Sequence, residues 1–439
     1  MTLDRIKTVV LSLLILASLF QTYLLTYSSP QYERIAQGND YIKPETIGDQ
    51  NQLELEDLLF PDYMVFHSGS STHTLLYPNM GYFGTILESV KQRSFGGFSR
   101  VNTFALNIDW VDIRNKRKGI ELHFRGGIPM QVLQTMFKIK GDMSLTDEMI
   151  TSIWIFTTES GEDVKTFFFT DTKSIAYELS GADFTVKDVE KFLSWGSNAD
   201  SYYTPNGDYY LPSKPITMSS YRFNSAVISD DQLKRVLFVD PGAVRPFKER
   251  DGSQIYTDGK RGLQLSQGKH WLKYTDPIAA LESKNEVLEN LQASIKFINQ
   301  HLGWNGTYGL TKTPHRPSNS VTNTPRTGQF EFRQYFDSYP IVQPTSEGYG
   351  LMHLITEKGI VTSYERSLLI QDKEKKNMVR TEAQIMSGEQ LENIIKLKPN
   401  RYNIVSVYPA YQATETETMV TLKPVWALEY RDGTIELVD

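Results

Sequence analysis

KERDGSQIYTDGKRGLQL, residues 248–265, carries two Asp-Gly pairs, Asp251-Gly252 and Asp258-Gly259. Asp-Gly between strand-like segments signals a tight hairpin, because glycine takes a positive φ without a Cβ clash. The segments beside these turns are rich in β-branched, aromatic and aliphatic residues, so strands are expected at 253–257, 262–266 and 271–275, forming an antiparallel meander. A helix should follow from Ser283. SKNE at 283–286 has capping-box form, and Val287, Leu288, Leu291, Ile295, Ile298 and Leu302 keep a helical period up to Gly303. Sheet and helix in succession give an α+β domain, placed at 216–313.

The same order recurs downstream. Strand-like GQFEFRQYF, GYGLMHLIT and GIVTSYERSLLI precede a helix opening with SGEQ at Ser387, whose apolar face is Leu391, Ile394 and Ile395. Strands follow in YNIVSVYPAY and TMVTLKPVWALEY, and an Asp432-Gly433 turn leads into TIELV. This second α+β domain spans 329–439, behind a Pro-, Ser- and Thr-rich linker at 314–328, and the two domains are read as relatives. Upstream, 53–200 forms another α+β domain. Its signals are the helical spacing of Phe83, Ile86, Leu87 and Val90, the strands TSIWIFTT and VKTFFFTD around Gly161, and a capped helix from Thr185 with Val189, Phe192 and Leu193 on one face. Residues 201–215, with Pro, Gly and Asn and no period, read as a linker whose tyrosines are able to pack on a neighbour.

Composition narrows the function. The 439 residues carry a net charge of −6 with the signs mixed, which argues against a nucleic-acid partner. There is no cysteine, so disulfides, thiolate metal sites and thiol nucleophiles are excluded. The seven histidines show no metal-ligand spacing, and no metal or cofactor site is expected. HSGSSTH at 67–73 joins serines to two histidines, but a Gly/Ser turn into a strand explains it better than a Ser–His nucleophile. No other catalytic constellation stands out.

The N-terminus departs from this globular pattern. No charged residue lies between Lys7 and Glu33, and residues 8–27 are long enough to cross the ~30 Å hydrocarbon core at ~1.5 Å per residue. Arg5 and Lys7 mark 1–7 as a cytoplasmic tail, which puts the bulk of the chain outside the cell behind a juxtamembrane linker at 28–52. The run outlasts a signal-peptide core and has no A-x-A cut site, so a retained single-pass anchor is expected. On a helix, Thr8, Ser12, Ile15, Leu19, Thr22 and Thr26 form one stripe, with Gln21 on the other side. Such polar groups join helices in lipid; alternatively, the hydroxyls bond their own backbone carbonyls.

The segment RVLFVDPGAVRPFKERDGSQIYTDGKRGLQL, residues 235–265, resembles the central segment of the YycH (WalH) family. The likeness is carried by Leu237, Phe238, Asp240, Val244, Arg245, 249–252, 255–259 and 261–264. The short basic N-terminus, single span and three-part exterior fit as well, and the C-terminal domain resembles the sister YycI family. The resemblance implies an accessory protein, not an enzyme, that acts with YycI on the sensor histidine kinase WalK of the WalK–WalR two-component system and so on cell-wall metabolism. It implies contacts through the membrane helix and the outer domains, and no cofactor. Homodimerisation is left open. The rival reading is an exported module that binds cell-wall glycan or peptide behind a passive tether.

Overall fold

Both Asp-Gly turns form. The strands Arg245–Lys248, Gln254–Thr257, Gly262–Leu265 and Trp271–Thr275 pair antiparallel in sequence, with Gly252 and Gly259 at φ 89° and 91°. The computed structural model describes residues 7, 11, 13–22, 52–106, 108–141, 148–277, 285–314, 328–345, 347–371, 378–416 and 418–439. The chain divides into two units, Met1–Pro44 and Glu45–Asp439.

In the first unit residues 13–22 are helical and exposed. Lys7 and Leu11 are helical and exposed as well. Among the described residues no helix is long and apolar enough to cross a membrane. Of the stripe expected at 8–27, Ile15, Leu19, Gln21 and Thr22 fall on this helix, while Thr8, Ser12 and Thr26 lie outside the described residues.

The second unit is α+β. Among the described residues its N-terminal part is a nine-stranded sheet. From one edge to the other the strands are Leu211–Pro212, Ser201–Tyr203, His73–Leu76, Tyr63–Ser68, Lys118–Pro129, Met149–Thr157, Val164–Thr170, Ile175–Leu179 and Phe98–Asn102. The helix Phe83–Lys91 buries Phe83, Ile86, Leu87 and Val90, the spacing the sequence displays. The helix Val186–Gly196 starts at Thr185, whose side chain and that of Asp188 form a reciprocal capping box; it buries Val189 and Phe192. Two strands of this sheet come from the stretch expected to be a linker at 201–215. Tyr202, Tyr209, Tyr210 and Leu211 are buried there, so the stretch is a sheet edge held down by its tyrosines.

Among the described residues a fifteen-stranded sheet follows. Its main path runs from the meander Arg245–Lys248, Gln254–Thr257, Gly262–Leu265, Trp271–Thr275 into Ile360–Ser367, Leu351–Glu357, Gly328–Phe336, Tyr339–Val342, Ile404–Glu415 and Met419–Tyr430. It then returns to Ile216–Val227 and ends at Leu369–Gln371. Strands from 216–313 thus hold one end of the path and the place next to its other end, with strands from 329–439 between them and at the far edge. The meander closes on the later segment through Trp271↔Ser367, and Ile216–Val227 pairs with both Met419–Tyr430 and Val379–Ile385. The helix Val287–Gln300 packs on Gly328–Phe336, Leu351–Glu357 and Ile360–Ser367. Its N-cap is Glu286, three residues after the expected start; Ser283 lies outside the described residues. The helix Gly388–Lys396, capped by Ser387 and Gln390 as the sequence indicates, packs on Leu211–Pro212. A Cβ on Gly388 would stand 2.5 Å from the Pro212 carbonyl oxygen, so only glycine permits that approach.

Candidate functional site: the seam between the two sheets

The strand Lys118–Pro129 supplies two charged groups to the second unit, the buried Glu121 and the largely buried Arg125. Arg125 faces the large sheet. Its backbone N–H and Nε donate to Asp62 at 2.8 and 2.9 Å, and the Tyr335 hydroxyl donates to the same carboxylate at 3.0 Å. The Arg125 guanidinium carbon sits 3.5 Å from the centre of the Tyr408 ring. Burial opposes the Arg125 charge, but Asp62 together with Tyr408, Tyr335 and Glu429 offsets it and holds the guanidinium pKa well above its usual value. Glu429 lies in the same neighbourhood, and burial pushes its carboxyl upward. Asn79 Nδ2 donates to the Asp337 carbonyl at 2.8 Å, Tyr77 packs on Tyr339 at 5.0 Å, and Asn299 bonds both the N–H and the carbonyl of Leu53. The seam is therefore polar, partly buried and fastened at several separated points.

Glu121, 0% exposed on the same strand, is the second centre. Its Oε2 lies 2.6 Å from His123 Nε2 and 3.1 Å from the donating Tyr210 hydroxyl; its Oε1 lies 3.2 Å from Arg114 Nε. His67 Nε2 stands 3.0 Å from Oε1 but off the hydrogen-bond direction. Burial pushes the Glu121 carboxyl up, yet the Arg114 and His67 charges and its hydrogen bonds hold it well below the usual carboxylate range. The hairpin register sets His67 opposite His73, with their Nδ1 atoms 2.9 Å apart. One ring must donate and the other accept, so at most one of the two facing atoms carries a proton. Burial, then the neighbouring His67, lowers His73 to about 4.

The serines of HSGSSTH form the turn. Ser68 and Ser70 bond one another at 2.7 Å and Ser68 bonds the Thr72 carbonyl, so the turn reading of this motif stands. Among the described residues no three His, Cys, Asp or Glu side chains are grouped to hold a metal ion. Sequence reasoning did not single out Glu121, Arg114, His123, Asp62 or Arg125. The signal for Glu121 was a lone carboxylate between Ile120 and Leu122 in a strand otherwise apolar enough to be buried.

At one end of the seam a cleft of about 310 Å³ opens. It is lined by Leu75–Leu76 and the loop after it, by the end of the helix Val186–Gly196 and the stretch leading to Tyr202, and by Tyr339 of the large sheet. Of the residues expected to contact a partner helix, Ile15, Leu19 and Gln21 are exposed, as is Thr22, whose hydroxyl donates to the Ser18 carbonyl at 2.9 Å. That backbone bond is the second of the two readings allowed for its hydroxyl.

Comparison with known proteins resolves the family. The model of the YycH protein N-terminal domain matches residues 4–194, and that of the YycH protein C-terminal domain matches residues 206–439. The chain belongs to the YycH family. Between the two matched regions lies the short stretch that supplies the cleft with Trp195, Asn198, Asp200 and Tyr202. A relative from Bacillus subtilis (strain 168), described as the two-component system WalR/WalK regulatory protein YycH, is 22% identical over 326 residues, 71% of this chain and 68% of that protein. The crystal structure of YycH from Bacillus subtilis superposes with a TM-score of 0.67 at 18% identity, covering 89% of this chain and 98% of that one, so the family fold extends over nearly the whole of it.

Proposed function

We propose that this protein is a membrane-anchored, extracellular regulator of the sensor histidine kinase WalK. In this reading it acts with YycI through its N-terminal helix and outer domains to adjust two-component signalling in cell-wall metabolism. Membership in a family whose Bacillus subtilis relative is described as a WalR/WalK regulatory protein supports the role. The observation that carries the anchoring is the N-terminal helix. Leu11, Leu13, Leu14, Leu16, Leu19 and Phe20 are 60–63% exposed, an apolar surface all round that water disfavours and lipid accepts. A helix that packs differently against two kinase states shifts their balance by its differential affinity alone; about 1.4 kcal/mol changes the ratio tenfold.

The test replaces residues 8–27 by an unrelated span of equal length and reads WalK-dependent transcription. Loss of regulation with normal membrane levels is expected, and unchanged regulation refutes an active helix. Within the span, Gln21→Leu and Ser12→Leu should reduce co-purification with WalK and YycI from solubilised membranes. Recovery equal to wild type refutes the contact.

A further inference from the structure

The cleft at the end of the seam has a chemistry that the regulatory reading does not use. Five of its lining residues are aromatic: Tyr77, Tyr82, Trp195, Tyr202 and Tyr339. Its polar side chains, apart from the tyrosine hydroxyls, are Asn198 and Asp200, both exposed; among the described residues neither has a side-chain partner. No lysine or arginine lines it. Aromatic faces carry partial negative charge, and Asp200 adds a full one. Such a lining repels phosphates and carboxylates and attracts an organic cation.

The Lys191 ammonium lies 4.7 Å from the centre of the Trp195 ring, outside the cleft, while Tyr82 stacks on Trp195 at 5.7 Å and 15°. Tyr82 is 49% exposed, so much of its surface is open to a guest. The volume, about 310 Å³, lies at the lower limit of small-molecule sites and suits one long side chain better than an extended ligand.

We infer that this cleft binds the guanidinium or ammonium head of an arginine or lysine presented by a partner polypeptide, with Asp200 as counter-ion and the aromatic walls around its stem. The guest would touch Tyr82 and Trp195 on one side and Tyr339 of the large sheet on the other, so its binding would tie the two sheets together. The inference goes beyond the kinase-regulator reading and holds or fails without it.

Saturation-transfer NMR on the purified full-length chain tests it with N-acetyl-arginine amide, N-acetyl-lysine amide, the uncharged isostere N-acetyl-citrulline amide, and chitobiose. Both cations should bind saturably at millimolar concentration, and more weakly as salt rises. Citrulline should bind at least tenfold more weakly than arginine. Asp200→Asn should weaken arginine about tenfold without moving the thermal midpoint, because its carboxylate is exposed and unpartnered, and Tyr82→Ala should weaken it too. Citrulline binding as well as arginine, an Asp200→Asn variant that binds like wild type, chitobiose binding more tightly than either cation, or no saturable binding would each overturn the proposal.

Discussion

Breaking the Asp62–Arg125 pair should cost far more than a surface ion pair, and the geometry sets the scale. Asp62 accepts from the Arg125 backbone N–H, its Nε and Nη2, and the Tyr335 hydroxyl. Asp62→Ala removes all four bonds and leaves the guanidinium with the Tyr335 hydroxyl at 3.4 Å and the Tyr408 ring, the ring contact being worth about 2 kcal/mol when desolvated. Removing one partner of a buried pair costs about 3–5 kcal/mol, whereas an exposed pair costs about 0–1 kcal/mol. The assay is equilibrium denaturation of the full chain, followed by tryptophan fluorescence, for Asp62→Ala, Arg125→Met and the double variant. Each single variant should lose about 3 kcal/mol or more. The double should lose clearly less than the sum, because Arg125→Met removes the charge that Asp62→Ala strands. Losses under about 1 kcal/mol, or strict additivity, would refute the claim that this pair fastens the seam.

Acid should loosen the Glu121 cluster. Folded His73 titrates at about 4 against 6.5 in an unfolded chain, so the unfolded state binds the extra proton between those values. Its contribution is therefore full above pH ~6.5, falls as the pH drops, and levels off below about 4 after a loss of about 3 kcal/mol. His73→Gln should flatten that slope in a pH series of denaturation curves. Glu121→Leu strands the Arg114 cation and should cost about 3–5 kcal/mol by the same assay. Gly388→Ala drives a Cβ into the Pro212 carbonyl and should lower stability by about 1–3 kcal/mol, read as a drop in thermal midpoint. Thr185→Ala removes a cap whose side chain accepts from the Asp188 N–H and should cost about 1 kcal/mol.

Local rules carried the elements well. The Asp-Gly turns, the caps at Thr185 and Ser387, and the apolar stripe Phe83, Ile86, Leu87 and Val90 all depend on residues within a few positions of each other, and the structure forms each of them. What escaped was long-range pairing. Nothing in ITMSSYRFNSAV indicates that its partners lie near 380 and 420, because any alternating strand offers the same ladder of N–H and C=O groups. The expected middle and C-terminal domains consequently share one sheet. The stretch at 201–215 misled because its Pro, Gly and Asn residues mark turns truly, while its tyrosines supply the burial that periodicity does not reveal. The seam was equally hidden: Asp62, Arg125 and Tyr335 are ordinary residues in sequence, and become a site only when sheets 200 residues apart meet.

The interleaved sheet has a consequence for how the chain is made. Synthesis proceeds from the N-terminus, so Ile216–Val227 emerges with both of its long neighbours, Val379–Ile385 and Met419–Tyr430, still untranslated. The nine-stranded sheet, whose strands all lie before residue 213, is free to assemble during that wait; the second half is not. A premature stop near residue 415 would therefore not trim a tail. It would leave the strand Ile216–Val227, 190 residues upstream, with one edge uncovered where Met419–Tyr430 pairs, and present the quality-control proteases with an unfinished sheet.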